Sequence, residues 1–147
     1  NKHLMLFFTG VSRFSSEIAQ SQIANMDNCI NQMNELYEMV DEGSSILSNN
    51  NTPIDDFGKL LHNAWITKRS LSNKISNSTI DELYDAAIRS GAIGGKVLGA
   101  GGGGFILFFV KPENQDKVKR ALPKLTYVPF NFENSGSKIV VNQPNGF

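Results

Sequence analysis

Residues 94–109 read Gly-Gly-Lys-Val-Leu-Gly-Ala-Gly-Gly-Gly-Gly-Phe-Ile-Leu-Phe-Phe. Five of the six residues from Gly99 to Gly104 are glycine, and an apolar run begins at Phe105. Glycine inside regular structure costs roughly 0.5–1 kcal/mol relative to alanine. A run this dense is therefore either a tolerated hairpin tip or a loop whose backbone must come close to something. Tight hairpin turns call for only about one or two glycines, so the run exceeds what a turn needs.

Two phosphate-binding patterns fail here. Gly99, Gly101 and Gly104 satisfy G-x-G-x-x-G, but the dinucleotide fingerprint requires a helix directly after the glycines to hold the pyrophosphate. The residues that follow read as a strand. A Walker loop requires Gly-Lys-Ser/Thr, and Gly95-Lys96 is followed by Val97. What remains is a glycine turn between two strands. It can present backbone N–H groups in one direction as an anion-binding nest, or it can let another segment lie flat against it.

The flanking chain predicts the frame around this turn. His3 to Thr9 is a short aromatic-rich run that reads as a buried strand. A helix capped by Ser15 or Ser16 follows. Ala19, Ile23, Met26, Ile30, Met33, Tyr37 and Val40 form one apolar stripe at helical spacing, which predicts one long helix or two nearly collinear ones packed into a bundle. Ser44 to Asn51 reads as a loop. Thr52-Pro53 predicts a helix start, with Phe57, Leu61, Ala64, Trp65 and Lys68 on its face. Thr79-Ile-Asp-Glu82 matches a capping box, and Gly91 ends that helix. Lys96 to Leu98 and Phe105 to Val110 read as strands, a helix starts at Lys111-Pro112, and Thr126 to Phe132 reads as a strand. Ser137 to Val141 offers one more. The order predicts an α+β fold of the ferredoxin-like βαββαβ plan, an α/β sandwich with extra helices inserted in the first crossover.

Composition bounds the function. The 147 residues suit one domain with a sizeable core. Fourteen basic and fourteen acidic residues cancel, so no bulk field favours nucleic acid or an anionic membrane. Phe105 to Val110 is far shorter than the roughly 18–20 residues of a membrane span. The lone Cys29 forms no intrachain disulfide, no Cys/His cluster suggests zinc, and a cytoplasmic setting fits. The chain starts at Asn1 and enters a strand at once, so residues 1–147 are expected to be the second half of a longer protein.

Residues 94–105 closely resemble the third motif of the GHMP kinases, the group of galactokinase, homoserine kinase and mevalonate kinase. Thr9-Gly-Val-Ser-Arg13, Phe57-Gly-Lys-Leu-Leu61, Trp65-Ile-Thr-Lys-Arg69, Leu71-Ser72, Ile75-Ser76 and Gly91-Ala-Ile-Gly-Gly-Lys96 look like the branch that phosphorylates D-glycero-D-manno-heptose phosphate. Fucokinase-like enzymes share several of these words. The resemblance runs from residue 1 to about residue 141 and implies the C-terminal domain of an ATP-dependent kinase with Mg²⁺ as metal, feeding nucleotide-activated heptose and lipopolysaccharide synthesis.

The family's P-x-x-x-G-L-G-S-S-A phosphate loop has no counterpart here; Gly43-Ser-Ser45 lacks its surroundings. The resemblance assigns that loop, the Mg²⁺ ligands and the catalytic carboxylates to an N-terminal kinase domain. This chain is then expected to hold no catalytic or metal residue of its own, to be inactive alone, and to have that domain, ATP and a sugar phosphate as partners.

The resemblance also implies that Gly99, Ala100, Gly101, Gly102, Gly103 and Gly104 pack near the phosphates and support the ATP loop. A bulkier residue at Gly101 to Gly103 is expected to lower turnover without unfolding the domain. Arg13, Lys68, Arg69 and Lys96 are candidate substrate ligands, and each reads equally as a solvated surface cation. Trp65, Lys68 and Ser72 share roughly one helical face; a sugar can stack on an exposed indole, while a core tryptophan cannot serve. The rival from another class is a free-standing metabolite-binding or regulatory domain.

Overall fold

The computed structural model describes residues 2–11 and 15–139. Strand β1 (Leu4–Phe8) leads into helices α1 (Ser15–Ala24), α2 (Ile30–Ser48), α3 (Asp55–Ser70) and α4 (Ser78–Arg89). Strands β2 (Ala92–Val97) and β3 (Phe105–Val110) form a hairpin across the glycine turn, and helix α5 (Gln115–Ala121) returns the chain to β4 (Thr126–Val128). The four strands lie in the order β2-β3-β1-β4 with every neighbouring pair antiparallel. Consequently β1 and β2 run the same way with β3 inserted between them, the connectivity of a split β-α-β unit. All four of the first helices lie in that crossover.

The strands alternate as a half-covered sheet should. Met5 pairs with Phe108 and Phe7 with Ile106, and all four side chains are buried. Trp65 of α3, Tyr84 of α4 and Val118 of α5 join the same core. Tyr84 packs its ring on Phe108 and Trp65 at 5.7 and 6.1 Å. Its hydroxyl meets His62 Nδ1 at 2.8 Å, which satisfies a polar tip that burial would otherwise strand. Burial also pushes the Tyr84 phenol well above its ordinary pKa.

Helix α3 lies directly on β2 because neither carries a side chain where they touch. A Cβ placed on Gly94 would fall onto the Gly58 carbonyl oxygen and within 2.8 Å of the His62 nitrogen. A Cβ on Gly58 would meet the Phe109 ring at 2.7 Å. The strand itself is longer than the sequence suggests, starting at Ala92 rather than Lys96, with a register shift between Ala92 and Gly94. Gly94 and Gly95, outside the strand as read from the sequence, are strand residues, placed there for close approach.

Other boundaries differ for local reasons. Helix α2 continues through Ser44 to Ser48 because Gly43 and Ile46 are buried, with Leu60 only 3.3 Å from where a Gly43 Cβ would sit. The polar serines therefore ride a helix held down by its packed face. Thr52 does not cap α3; Asp56 N–H donates to Pro53 O at 3.0 Å, and the helix begins after that turn. Asn77, not Thr79, caps α4, its side chain accepting from Ile80 N–H at 3.0 Å. At Pro112 a 3₁₀ turn precedes α5, and β4 stops at Val128. Residues 137–139 are not strand, and Val140 and Val141 lie outside the described residues.

The largest departure concerns the apolar stripe. A 3₁₀ turn at Met26–Cys29 separates α1 from α2, and the side packed on the domain carries Ile18, Cys29, Gly43 and Ile46. Ile23, Met26, Ile30, Met33, Tyr37 and Val40 face outward instead, with Tyr37 75% and Val40 66% exposed. Bundle packing predicted burial of this stripe, but the α3 contact at Gly43 turns an adjoining side of α2 inward.

The α3–β2 contact yields a stability prediction. Gly94→Ala should lower unfolding free energy by about 3 kcal/mol, through overpacking against a backbone that cannot retreat. Urea denaturation of the 147-residue chain measures it. A change below about 0.5 kcal/mol, the range of ordinary surface substitutions, would contradict the contact.

Candidate functional site

The turn from Gly99 to Gly104 closes the β2–β3 hairpin, with Leu98 N–H donating to Phe105 O at 2.8 Å. All five of its glycines have positive φ, a region that costs an L-residue roughly 1–2 kcal/mol. The turn is held from several sides. Gly104 O accepts from both the N–H and the Oγ1 of Thr9 at 2.8 and 2.9 Å. Gly104 N–H donates to Val11 O, and Gly102 N–H to Ile75 O in the α3–α4 connection, both at 2.8 Å. Gln22 Nε2 of α1 reaches Ala100 O at 2.9 Å, and Lys68 Nζ of α3 reaches Gly99 O at 2.5 Å.

Close approach explains the glycine density. A Cβ on Gly101, whose φ is +112°, would lie 2.6 Å from Ile75 O. One on Gly103 would lie 2.8 Å from Val11 O. Gly102 and Gly103 are buried. A bulkier residue at Gly101 or Gly103 therefore strains the domain itself, contrary to the expectation that only turnover would suffer. Gly99 is different: it is exposed, and nothing lies within 4 Å of its missing Cβ.

The bonding pattern also divides the turn into two faces. Gly102 and Gly104 donate inward to protein carbonyls. Among the described residues, the N–H groups of Gly99, Ala100, Gly101 and Gly103 meet no protein acceptor. Such unpaired main-chain donors are what an anion-binding nest requires.

Two of the four candidate cations stand beside this turn. Lys68 is half-buried, and burial, reinforced by the nearby charge of Lys96, holds its ammonium below the usual lysine range. Lys96 is half-buried on β2. Neither lysine has a carboxylate partner among the described residues. Both border one end of a groove of about 540 Å³ between α2 and α3, whose walls include Leu36, Val40, Phe57 and Leu61. Two adjacent unpaired ammonium groups repel each other, and an anion between them relieves that repulsion.

The remaining candidates stand elsewhere. Arg69 pairs with Asp81 at 3.2 Å; Asp81 also accepts from Ser76 Oγ at 2.6 Å, so Arg69 fastens α3 to the start of α4. Arg13 lies outside the described residues. Trp65 is 0% exposed, so no sugar stacks on it. Ser72 lies past the end of α3 and its Oγ meets Ser21 Oγ at 2.7 Å. His3 stacks on Phe109, and Cys29 is buried with Asn25 Nδ2 donating to its Sγ. Among the described residues, no group of three His, Cys, Asp or Glu could hold a metal ion. No helix among them is long and apolar enough to cross a membrane.

Sequence reasoning missed Thr9, Gln22 and Ile75 as holders of the turn. Thr9 and Ile75 sit in words quoted for the family resemblance, but their partners are main-chain groups 95 and 27 residues away, and a sequence pattern carries no signal for such bonds.

Comparison with known proteins accounts for this arrangement. The chain is 41% identical over 88 residues to the D-glycero-alpha-D-manno-heptose 7-phosphate kinase of Campylobacter jejuni, a match covering 56% of this chain and 26% of that protein. It is 28% identical over 123 residues to the bifunctional fucokinase/GDP-fucose pyrophosphorylase of Arabidopsis thaliana, covering 81% of this chain and 11% of that one. The chain thus spans about a quarter or less of these two relatives. The fold superimposes on the mevalonate kinase of Methanococcus jannaschii with a TM-score of 0.71 at 24% identity, covering 85% of this chain and 38% of that structure. Residues 48–128, which carry α3, α4, the sheet from β2 to β4 and the whole glycine turn, match the family described as GHMP kinases C terminal. With more than half of its length inside that match, the chain belongs to the C-terminal domain family of the GHMP kinases.

Proposed function

We propose that this chain is the C-terminal domain of an ATP-dependent sugar kinase whose substrate is a heptose phosphate, and that it acts together with an N-terminal kinase domain. The observation that carries the reading is the two-faced glycine turn: the Gly102 and Gly104 N–H groups are bonded to Ile75 and Val11, while those of Gly99, Ala100 and Gly101 meet no acceptor among the described residues and have Lys68 and Lys96 beside them. The heptose substrate is supported by the likeness to the Campylobacter jejuni enzyme.

Phosphoryl transfer is governed chiefly by positioning and charge neutralisation. ATP, when bound, supplies the transferable phosphoryl group with Mg²⁺ as counter-charge. The donors on this chain suit phosphate oxygens rather than a cation, because they are N–H groups and ammoniums. Lys68 uses one proton to fix the turn at Gly99 O, which leaves two for a phosphate oxygen. Lys96 adds a second positive charge. The turn is rigid before any ligand arrives, so little reorganisation is needed at the moment of transfer. Carboxylates for Mg²⁺ and for the sugar hydroxyl are assigned to the N-terminal domain, and the proposed setting is the cytoplasm.

A fucokinase-like enzyme is the second reading, favoured by the longer stretch of chain that aligns with the Arabidopsis protein. ATP turnover by the longer polypeptide, tested with D-glycero-D-manno-heptose 7-phosphate, L-fucose and mevalonate, separates the two. The heptose reading expects kcat/KM at least about tenfold higher for the heptose phosphate, and no turnover by residues 1–147 alone. Preference for L-fucose establishes the second reading. Turnover of none of the three by the longer polypeptide, with effector binding by the short chain, points to a regulatory domain.

The two faces of the turn make a sharper prediction. Gly99→Asn in the longer polypeptide should lower kcat while leaving unfolding free energy within about 1 kcal/mol, since asparagine tolerates a left-handed backbone. Gly101→Ala should instead destabilise the domain by about 2 kcal/mol. Lys96→Met should raise KM for the phosphorylated substrate roughly tenfold with less effect on stability. Kinetics paired with urea denaturation check all three.

A further inference from the structure

The apolar stripe on α1 and α2 has no role in the domain's core, and of its six exposed residues only Val40 lines the groove that Lys68 and Lys96 border. Ile23, Met26, Ile30, Met33, Tyr37 and Val40 are each at least 40% exposed. Scattered exposed apolar residues are ordinary, but six at spacings of three and four along α1, the 3₁₀ turn and α2 are not. At its centre is a notch of about 160 Å³ between α1, α2 and Leu71, walled by Ala19, Ile23, Met26, Cys29 and Met33. That volume accepts one branched or aromatic side chain. Methionines on its rim can adapt their shape to an incoming group.

The charge around the stripe has one sign. No Lys or Arg occurs between Arg13 and Lys59 in a chain whose net charge is zero. Glu17, Asp27, Glu35, Glu38, Asp41 and Glu42 all lie in that interval and are exposed. Asp55 and Asp56 pair with Lys111 and Lys59; the other six have no ion-pair partner among the described residues. Glu38 and Asp41 follow the stripe along α2 at a spacing of three residues, which places them on adjoining ground.

We propose that this face binds a basic amphipathic helix of a partner protein, seating one apolar side chain in the notch and its Lys or Arg residues against the acidic edge. An amphipathic helix laid in a groove presents anchors at the spacing that the stripe displays. Charge argues against a second copy of this chain, because a two-fold contact would bring the acidic edges of two α2 helices together. The proposal does not depend on the kinase reading.

The test uses the 147-residue chain and three fluorescent synthetic helices: Leu at i, i+3, i+4 and i+7 with Lys elsewhere, the same Leu pattern with Glu, and a scrambled Leu/Lys isomer. Binding is expected only for the patterned Lys helix, weakening roughly tenfold or more when salt rises well above physiological strength. Met33→Ser and Tyr37→Ser should each weaken it about tenfold, and Glu38→Lys with Asp41→Lys should transfer preference to the Glu helix. Unchanged circular dichroism and thermal melting exclude misfolding of these surface variants. Equal binding of the scrambled isomer, or indifference to Met33 and Tyr37, would overturn the proposal. So would sedimentation showing a dimer that Tyr37→Ser dissolves, or hydrogen exchange showing α2 covered by the remainder of its own longer polypeptide.

Discussion

The backbone contact between α3 and β2 determines where the rest of the molecule can be. Gly58 and Gly94 meet with no side chain between them, so the helix rests on the strand at a separation that any other residue pair would increase. That proximity carries Trp65 into the core beside Tyr84 and brings His62 to the Tyr84 hydroxyl. About ten residues further along, roughly 15 Å of helix, the same rigid element delivers Lys68 to the carbonyl of Gly99. Helix α2 then rests on α3 through Gly43, and that contact turns the stripe outward. Three glycines in three elements thus fix both the corner where Lys68 meets the glycine turn and the acidic, apolar face.

The glycine turn is built on the same steric rule with a different result. At Gly101 and Gly103 the absent side chains admit the carbonyls of Ile75 and Val11. The main chain is bonded to the end of β1 and to the α3–α4 connection. A loop of this composition would be floppy in isolation, because glycine loses the most conformational freedom on ordering. Tertiary hydrogen bonds remove that freedom within the domain. Among the described residues, what remains unbonded is a small set of N–H donors next to two lysines without a carboxylate partner, an arrangement chemically suited to phosphate.

Much of this frame is legible in the sequence, and the exceptions have physical causes. The four strands, the helix order and the glycine hairpin follow from local patterns: the β1 and β3 runs are apolar and bounded by turn residues, whereas only the end of β2 reads as strand. The orientation of α2 is not legible. Its large apolar residues form the better stripe, yet Gly43 and Ile46 face inward, since helix packing selects the surface that fits its neighbour rather than the most hydrophobic one. Gly94 falls outside the strand read from the sequence for the same reason: its value lies in what approaches it. Within the site, Lys96 is found by its place just before the motif and Lys68 by the helical face it shares with Trp65, whereas Arg69, adjacent in sequence to Lys68, points to Asp81. Neighbouring residues on a helix differ by about 100° in direction, and that rotation separates the lysine beside the glycine turn from the arginine paired with Asp81.

The central claim is that the turn is ordered by its own domain and keeps a separate set of donors free. Amide hydrogen exchange of the isolated 147-residue chain, resolved by NMR at each glycine, tests it most directly. The bonded N–H groups of Gly102 and Gly104 should be protected nearly as strongly as those of β3, while Gly99 and Gly101 exchange close to the rate of an unstructured chain. Uniformly fast exchange across Gly99 to Gly104 would mean that the turn is not preformed, and the account of how this domain presents phosphate donors would fail.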